Sequence, residues 1–250
     1  MTEPIVELER ADAIAILTLN EPQARNPLSP PLVRSLTSML KDLAGDDAVR
    51  VVILAGAGRG FSAGADLRRM RAASAWEDRA EYEELLELNR TVWSYPKPTI
   101  AAVHGFALGA GANLMSWCDL AIAEEDTKIG YPEVTAGVPS ATVVPTLMRL
   151  VGRKQLYELV LTGEPFTARQ ACEAGLVNRV ARPGEARADA LELARTIAGR
   201  EPTAIAMTKK IVQTTTDMSY SHAVEYAREM RVISRLRDGF EVQVPQGEKS

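Results

Sequence analysis

The chain reads as an α/β protein with a helical C-terminal region, and three observations carry that reading. Short apolar runs rich in Val, Ile and Ala recur at residues 49–55, 99–103 and 120–123, each the length of a buried strand. Segments with helical spacing of apolar residues separate them, the alternation expected of an α/β fold. Beyond residue 144 the pattern turns almost wholly helical.

Taken in order, residues 5–9 and 13–20 cluster or alternate β-branched residues around Ala11-Asp12 and predict an opening hairpin. A proline-rich turn follows over 21–31. Apolar residues at helical spacing over 32–43, stopped by Gly45, predict a helix. Helices are further expected over 77–94 and, led by glycine, over 109–117. In the C-terminal part the expected helices span 186–198, 203–214 and 219–236, with one short apolar strand at 176–180. Glu201-Pro202 marks a helix boundary, because the residue before proline disfavours the helical conformation. The tail from Val242 is polar. The pattern divides the chain into a core over 1–195 and a helical region over 196–250.

Bulk properties narrow the function classes. Hydrophobic residues make up 46% and charged residues 25% of 250, an ordinary globular composition that can bury its own core. The net charge is −4 with no long run of Lys or Arg, which argues against nucleic acid as the main partner. No apolar stretch is long enough for a membrane span, and the first residues lack the pattern of a secretory signal, so a cytoplasmic protein is expected. Cys118 and Cys172 lack metal-ligand spacing and read as reduced thiols in packed segments. No metal or redox cofactor is indicated.

Two segments gather small residues just after an apolar strand, Gly56 to Leu67 and Val103 to Leu114. Neither is a nucleotide site. The dinucleotide fingerprint needs a third small residue where Phe61 and Leu114 stand, and no Gly-Lys-Ser or Gly-Lys-Thr is present for a P-loop. Two uses remain open. Small residues allow tight helix–strand packing, or they let a ligand approach main-chain N–H groups, two of which could converge on one oxygen.

At this point the residues resemble a family. Phe61-Ser62-Ala63-Gly64-Ala65-Asp66-Leu67 is similar to the first signature of the crotonase, or enoyl-CoA hydratase/isomerase, superfamily. Val103 to Asp119 resembles the second, and Gly130-Tyr131-Pro132-Glu133 with Gly137-Val138-Pro139 the third. Leu161 to Glu164 and Ala174 to Val177 follow the family pattern as well. The resemblance implies a spiral of β-β-α units with a helical C-terminal region that forms homotrimers or dimers of trimers. It implies an acyl-CoA substrate, with coenzyme A entering as part of the thioester. By position, Ala65 and Ala110 supply the two N–H groups that hold the thioester oxygen. Ala63, Asp66 and Leu67 fall where the family holds adenine, and Arg25 where many members present a cation to the phosphates.

The resemblance also locates the acid–base machinery and a departure from it. Hydratases of the family generally place a glutamate on each side of the double bond. Glu133 matches the second; Asn113 occupies the place of the first and has no proton to exchange at neutral pH. One carboxylate suffices to shift a double bond, so isomerisation of a 3-enoyl to a 2-enoyl thioester is slightly favoured. The alternatives are hydration, with Asn113 holding the water, and a non-catalytic acyl-CoA-binding homologue. A second departure is Ser140-Ala141-Thr142-Val143-Val144, where many members have a glycine-rich step. His104 reads as structural and Asp119 as a strand-entry residue.

Overall fold

The structure, a computed structural model, describes residues 3–65 and 74–236. The chain divides into two compact units, Met1–Gly199 and Arg200–Ser250.

The first unit is built on a six-stranded sheet. The opening hairpin pairs β1 (Val6–Ala11) with β2 (Ile14–Leu19), turning through Asp12 at φ 55°, a left-handed conformation that Asp tolerates. From β2 the sheet continues in parallel through β3 (Val51–Gly56), β4 (Thr99–Val103), β6 (Leu120–Glu124) and β9 (Arg179–Ala181). On the edge strand β1, Glu7, Glu9 and Arg10 are exposed, which discourages pairing with another sheet edge.

Alternate residues of the inner strands face two separate cores. Ala15, Leu17, Val52, Leu54, Ala101 and Val103 enter the larger one. It is closed by α1 (Pro30–Ala44), α2 (Ala75–Trp93) and α3 (Ala110–Trp117), through residues such as Leu36, Leu88 and Leu114. Ile14, Ile16, Ile53, Ile100 and Ile122 face the other side. There α7 (Ala186–Ala198) lays Ala186, Ala190 and Ala194 on the sheet. That spacing of four puts the alanines on one helix face, so the helix backbone approaches the strands closely. Burial on both faces explains why the strands read as continuous apolar runs rather than as alternating ones.

A second, three-stranded sheet lies outside what the sequence pattern suggested. It joins β5 (Phe106–Leu108) in parallel to β7 (Lys128–Gly130), which pairs antiparallel with β8 (Phe166–Thr167). Strands of two or three residues carry no readable period. Between β7 and β8 run α4 (Val143–Leu147) and α5 (Arg153–Thr162), and α6 (Ala168–Glu173) follows β8. The strand expected at 176–180 begins later: Leu176 and Val177 are buried in the connection, and pairing with β6 starts at Arg179.

The second unit contains α8 (Pro202–Thr215) and α9 (Tyr220–Arg235). Glu201 caps α8 by accepting from the Thr203 and Ala204 N–H groups, with Pro202 at the first helical position, so the expected boundary is seen. No residue of either helix is buried.

Candidate active site

Three segments that follow parallel strands of the large sheet, β3, β4 and β6, meet at one place. The crevice beyond the carboxyl ends of parallel strands is the usual ligand site of such sheets. The segment after β3 is stitched to the one after β4 by backbone hydrogen bonds. Leu108 N–H donates to Ser62 at 3.0 Å and Phe61 N–H to Phe106 at 3.0 Å. Glycines make the approach possible. Gly64 has φ 87°, and a β-carbon there would collide with the Leu108 carbonyl oxygen and stand 3.0 Å from Ala110 N. The two alanines, Ala65 and Ala110, are thereby brought to one site. Among the described residues neither of their N–H groups has a protein acceptor. Ala110 opens α3, where first-turn N–H groups lack helical partners and favour negative charge.

The loop that carries Ala65 is held from behind by Asn26. This residue is fully buried at φ 51°. Its Nδ2 donates to the carbonyls of Ala57, Gly60 and Phe61 at 2.9–3.1 Å, and its Oδ1 accepts from Glu21 N–H at 2.9 Å. Its own carbonyl accepts from the Ser62 hydroxyl at 2.7 Å, while Ala63 N–H donates to the Arg25 carbonyl at 2.9 Å. Asn26 is not among the site residues expected from the sequence. Asn beside a proline-rich turn was the available signal, because Asn both tolerates φ > 0 and satisfies loop backbone.

Glu133 comes from the third segment, on a 3₁₀ turn over Pro132–Ala136 just after β7. It is half-buried, and burial pushes its carboxyl above the usual carboxylate range; hydrogen bonds from its own backbone and from Ser140 pull it partly back. A β-carbon on Gly109 would lie 3.3 Å from Glu133 Oε1, so the carboxylate reaches the turn that presents Ala110. The Ser140 hydroxyl donates to the other oxygen, Oε2, at 3.5 Å. Beneath Glu133, buried Tyr131 shares a 2.8 Å hydrogen bond with Ser116, and burial holds its phenol well above the usual range.

Asn113 lies one helical turn beyond Gly109 and is fully buried. Its Nδ2 donates to the Thr142 carbonyl at 3.2 Å, and its Oδ1 has no hydrogen-bond partner among the described residues. The amide orientation follows from that contact, since the reverse would set Oδ1 against a carbonyl. Segment 140–142 therefore touches both Glu133 and Asn113.

Around these groups is a cavity of about 580 Å³. Arg25, Ala63, Ala65, Ala110 and Glu133 line it, with Leu28, Leu108, Val138 and Pro139 as apolar wall; Asn113 does not, although its partner Thr142 does. Asp66 and Leu67, expected at the adenine, and the C-terminal tail from Val242 lie outside the described residues. His104 bonds the Gly58 carbonyl at 3.0 Å and Asp119 accepts from Thr99 N–H at 2.7 Å, both in structural positions. A larger, shallow groove of about 830 Å³ runs between α1 and α2, but its charges are already taken up by Arg34–Glu84 and Lys41–Glu87 ion pairs. Among the described residues no group of three His, Cys, Asp or Glu could hold a metal ion, and no helix is long and apolar enough to cross a membrane.

Comparison with known proteins identifies the family and the fold. The enoyl-CoA hydratase/isomerase family pattern matches residues 9–239. A relative from Thermus thermophilus is 43% identical over 211 residues, 83% of each chain. The 2,3-dehydroadipyl-CoA hydratase of Escherichia coli is 36% identical over 238 residues, covering 92% of this chain and 89% of its own. The crystal structure of an enoyl-CoA hydratase from Mycobacterium smegmatis superimposes with a TM-score of 0.91 at 32% identity, covering 94% of this chain and 93% of that one. With the family pattern spanning nearly its whole length and the fold matched over 94% of it, the chain belongs to the enoyl-CoA hydratase/isomerase, or crotonase, family.

Proposed function

We propose that the chain is an enoyl-CoA hydratase that adds water across the α,β double bond of an acyl-CoA thioester. The observation that carries the reading is the meeting of one half-buried carboxylate, Glu133, with two backbone N–H groups that have no acceptor among the described residues. The Ala65 and Ala110 N–H groups hold the thioester oxygen as negative charge develops on it. Removing one such donor typically costs ~3–4 kcal/mol of transition-state stabilisation.

Glu133 starts ionised. It takes a proton from water as the water oxygen bonds to Cβ, and the π electrons move to the enolate held by the two N–H groups. The carboxylic acid so formed returns a proton to Cα. One C–O and one C–H bond replace the π bond and one O–H bond of water, and Glu133 ends as it began. A raised carboxyl is suited to this work, because its conjugate acid is then a weaker one and the carboxylate a better base. Asn113, which does not line the cavity, is assigned to hold residues 140–142 behind Glu133 through the Thr142 carbonyl rather than to hold the water. Arg25 and Ala63, at the mouth of the cavity, contact the coenzyme A portion, which enters as part of the substrate and not as a separate cofactor.

Isomerisation of a 3-enoyl thioester is the second reading, favoured by the single carboxylate. The motif resemblance, with Asn113 at the place of the first glutamate, slightly favours it. Hydration is placed ahead here because relatives of known name, including the short-chain-enoyl-CoA hydratase of Clostridium acetobutylicum at 34% identity, are hydratases. Mass spectrometry of products from 2-enoyl- and 3-enoyl-CoA in ¹⁸O-water decides between them: hydration adds the label, isomerisation adds no mass. Binding of thioesters without turnover of either would instead support the non-catalytic homologue. We also assign α8 and α9 to assembly of a homotrimer or dimer of trimers, since they leave Val224, Val232 and Ile233 exposed. Sedimentation of the full chain tests that assignment.

A further inference from the structure

We infer that Ser140 is a positioning residue for Glu133: its hydroxyl holds Oε2, so that Oε1 stays against Gly109, the residue before Ala110. The inference rests on the assignment of Glu133 as the acid–base group.

Glutamate has three rotatable side-chain bonds, and a lone carboxylate that both takes and returns a proton must keep one orientation through the cycle. Ser140 Oγ is the only side-chain donor to that carboxylate among the described residues. It is itself well placed to be rigid. Ser140 is 8% exposed, and its carbonyl accepts the Val144 N–H at 3.1 Å, which locks it at the entry to α4. Val143 and Leu147, both fully buried, anchor that helix in the core. The 3.5 Å contact is long for a hydroxyl donor, as hydrogen bonds around a catalytic group often are before substrate arrives.

The same segment reaches Asn113 through the Thr142 carbonyl. Residues 140–142 thus set the spacing between Glu133 and the amide. The carbonyl of Thr142 demands a donor at position 113, which an amide supplies and an ionised carboxylate does not. The serine–threonine step and the asparagine are therefore matched parts of one arrangement.

Among the described residues no charged side chain hydrogen-bonds Glu133, although Arg25, Glu81 and Tyr82 line the same cavity. Tyr131 is the titratable neighbour, held neutral by burial. Across the turn, α5 carries Arg153, Lys154, Tyr157 and Glu158, all exposed. α3 has no charged residue, and on β7 Lys128 is exposed. Loss of the Ser140 hydroxyl then leaves desolvation less opposed, so the Glu133 carboxyl moves further up.

The test compares the full-length wild type with Ser140→Ala and Ser140→Thr, using 2-butenoyl-CoA as probe. In Ser140→Ala, kcat is expected to fall about tenfold with KM within about twofold, the size of one hydrogen bond to a charged group. The acid limb of the rate profile should move to higher pH, and Ser140→Thr should restore both. Wild-type kcat with an unmoved acid limb in Ser140→Ala, or a threonine variant no better than alanine, overturns the inference. Infrared titration of the Glu133 carboxyl, assigned by its absence in Glu133→Gln, gives a readout free of turnover. A band that titrates identically in wild type and Ser140→Ala also overturns it, whatever happens to kcat. If the band moves but the wild type hydrates no 2-enoyl thioester, the positioning contact stands and the hydratase reading falls.

Discussion

The two sides of the large sheet are built by different rules. Under α7 the contact is purely aliphatic: isoleucines from β2, β3, β4 and β6 against three alanines, with nothing to titrate or orient. At the carboxyl ends of the same strands, Asn26, Ser62, Asn113 and Ser140 are buried with Glu133 among them. A buried polar group must find a partner, and nearly all of these do so through backbone. Asn113 Oδ1 is left without one among the described residues, and its amide is held on Thr142, which lines the cavity. Packing alone specifies the first side; the second spends stability to hold polar groups where a substrate can use them.

The contrast breaks most sharply at Glu133. Glu133→Gln should lower kcat by about 10²-fold or more, as removal of an acid–base group does, in assays with 2-enoyl-CoA. The same variant should be slightly more stable than wild type at neutral pH. A carboxyl raised in the folded state contributes stability below its ordinary value and loses it as pH rises through the folded one. Thermal melts should thus show a small gain in Tm, ~2 °C, at pH 7 that vanishes in acid.

Gly109→Ala should be the next largest effect. Gly109 has φ 52° and ψ −124°, a region essentially closed to side chains, and its new β-carbon would press on Glu133 Oε1 at 3.3 Å. Denaturant unfolding should register a loss of ~1–3 kcal/mol, together with a fall in kcat. On the opposite side, Ala190→Leu should cost a similar ~1–3 kcal/mol by overpacking the sheet, yet leave kcat/KM of the folded fraction unchanged. A large kcat/KM loss there would show that the two sides are coupled. Smallest of all, Arg34→Ala removes an exposed ion pair to Glu84 and should change stability by less than ~1 kcal/mol.

How far these features could be read without coordinates follows the same division. The strands of the large sheet were legible because burial on both faces leaves runs such as Val51-Val52-Ile53-Leu54 with no polar interruption. The α7 contact was legible as a helix but not as an alanine stripe on a particular sheet face. In the small sheet, β5, β7 and β8 escaped because two or three residues cannot display a period. Glu133, Asn113, Ala65 and Ala110 were reached only through resemblance of motifs. Ser140 was noticed as a departure, with no indication of what its hydroxyl touches.

By itself, then, the sequence determined the local matters: which segments are strands or helices, where Glu201-Pro202 starts a helix, and that the glycine-rich segments cannot be nucleotide loops. Those depend on residues within a few positions of one another, through backbone sterics, capping and apolar periodicity. Only the tertiary structure decided that Gly64 abuts Ala110, that Asn26 holds a loop more than thirty residues away, and that residues 140–142 join Glu133 to Asn113. These depend on hydrogen bonds and close approaches between distant segments, which exist only once burial has brought the strand ends together and removed the water that would otherwise compete for each donor and acceptor.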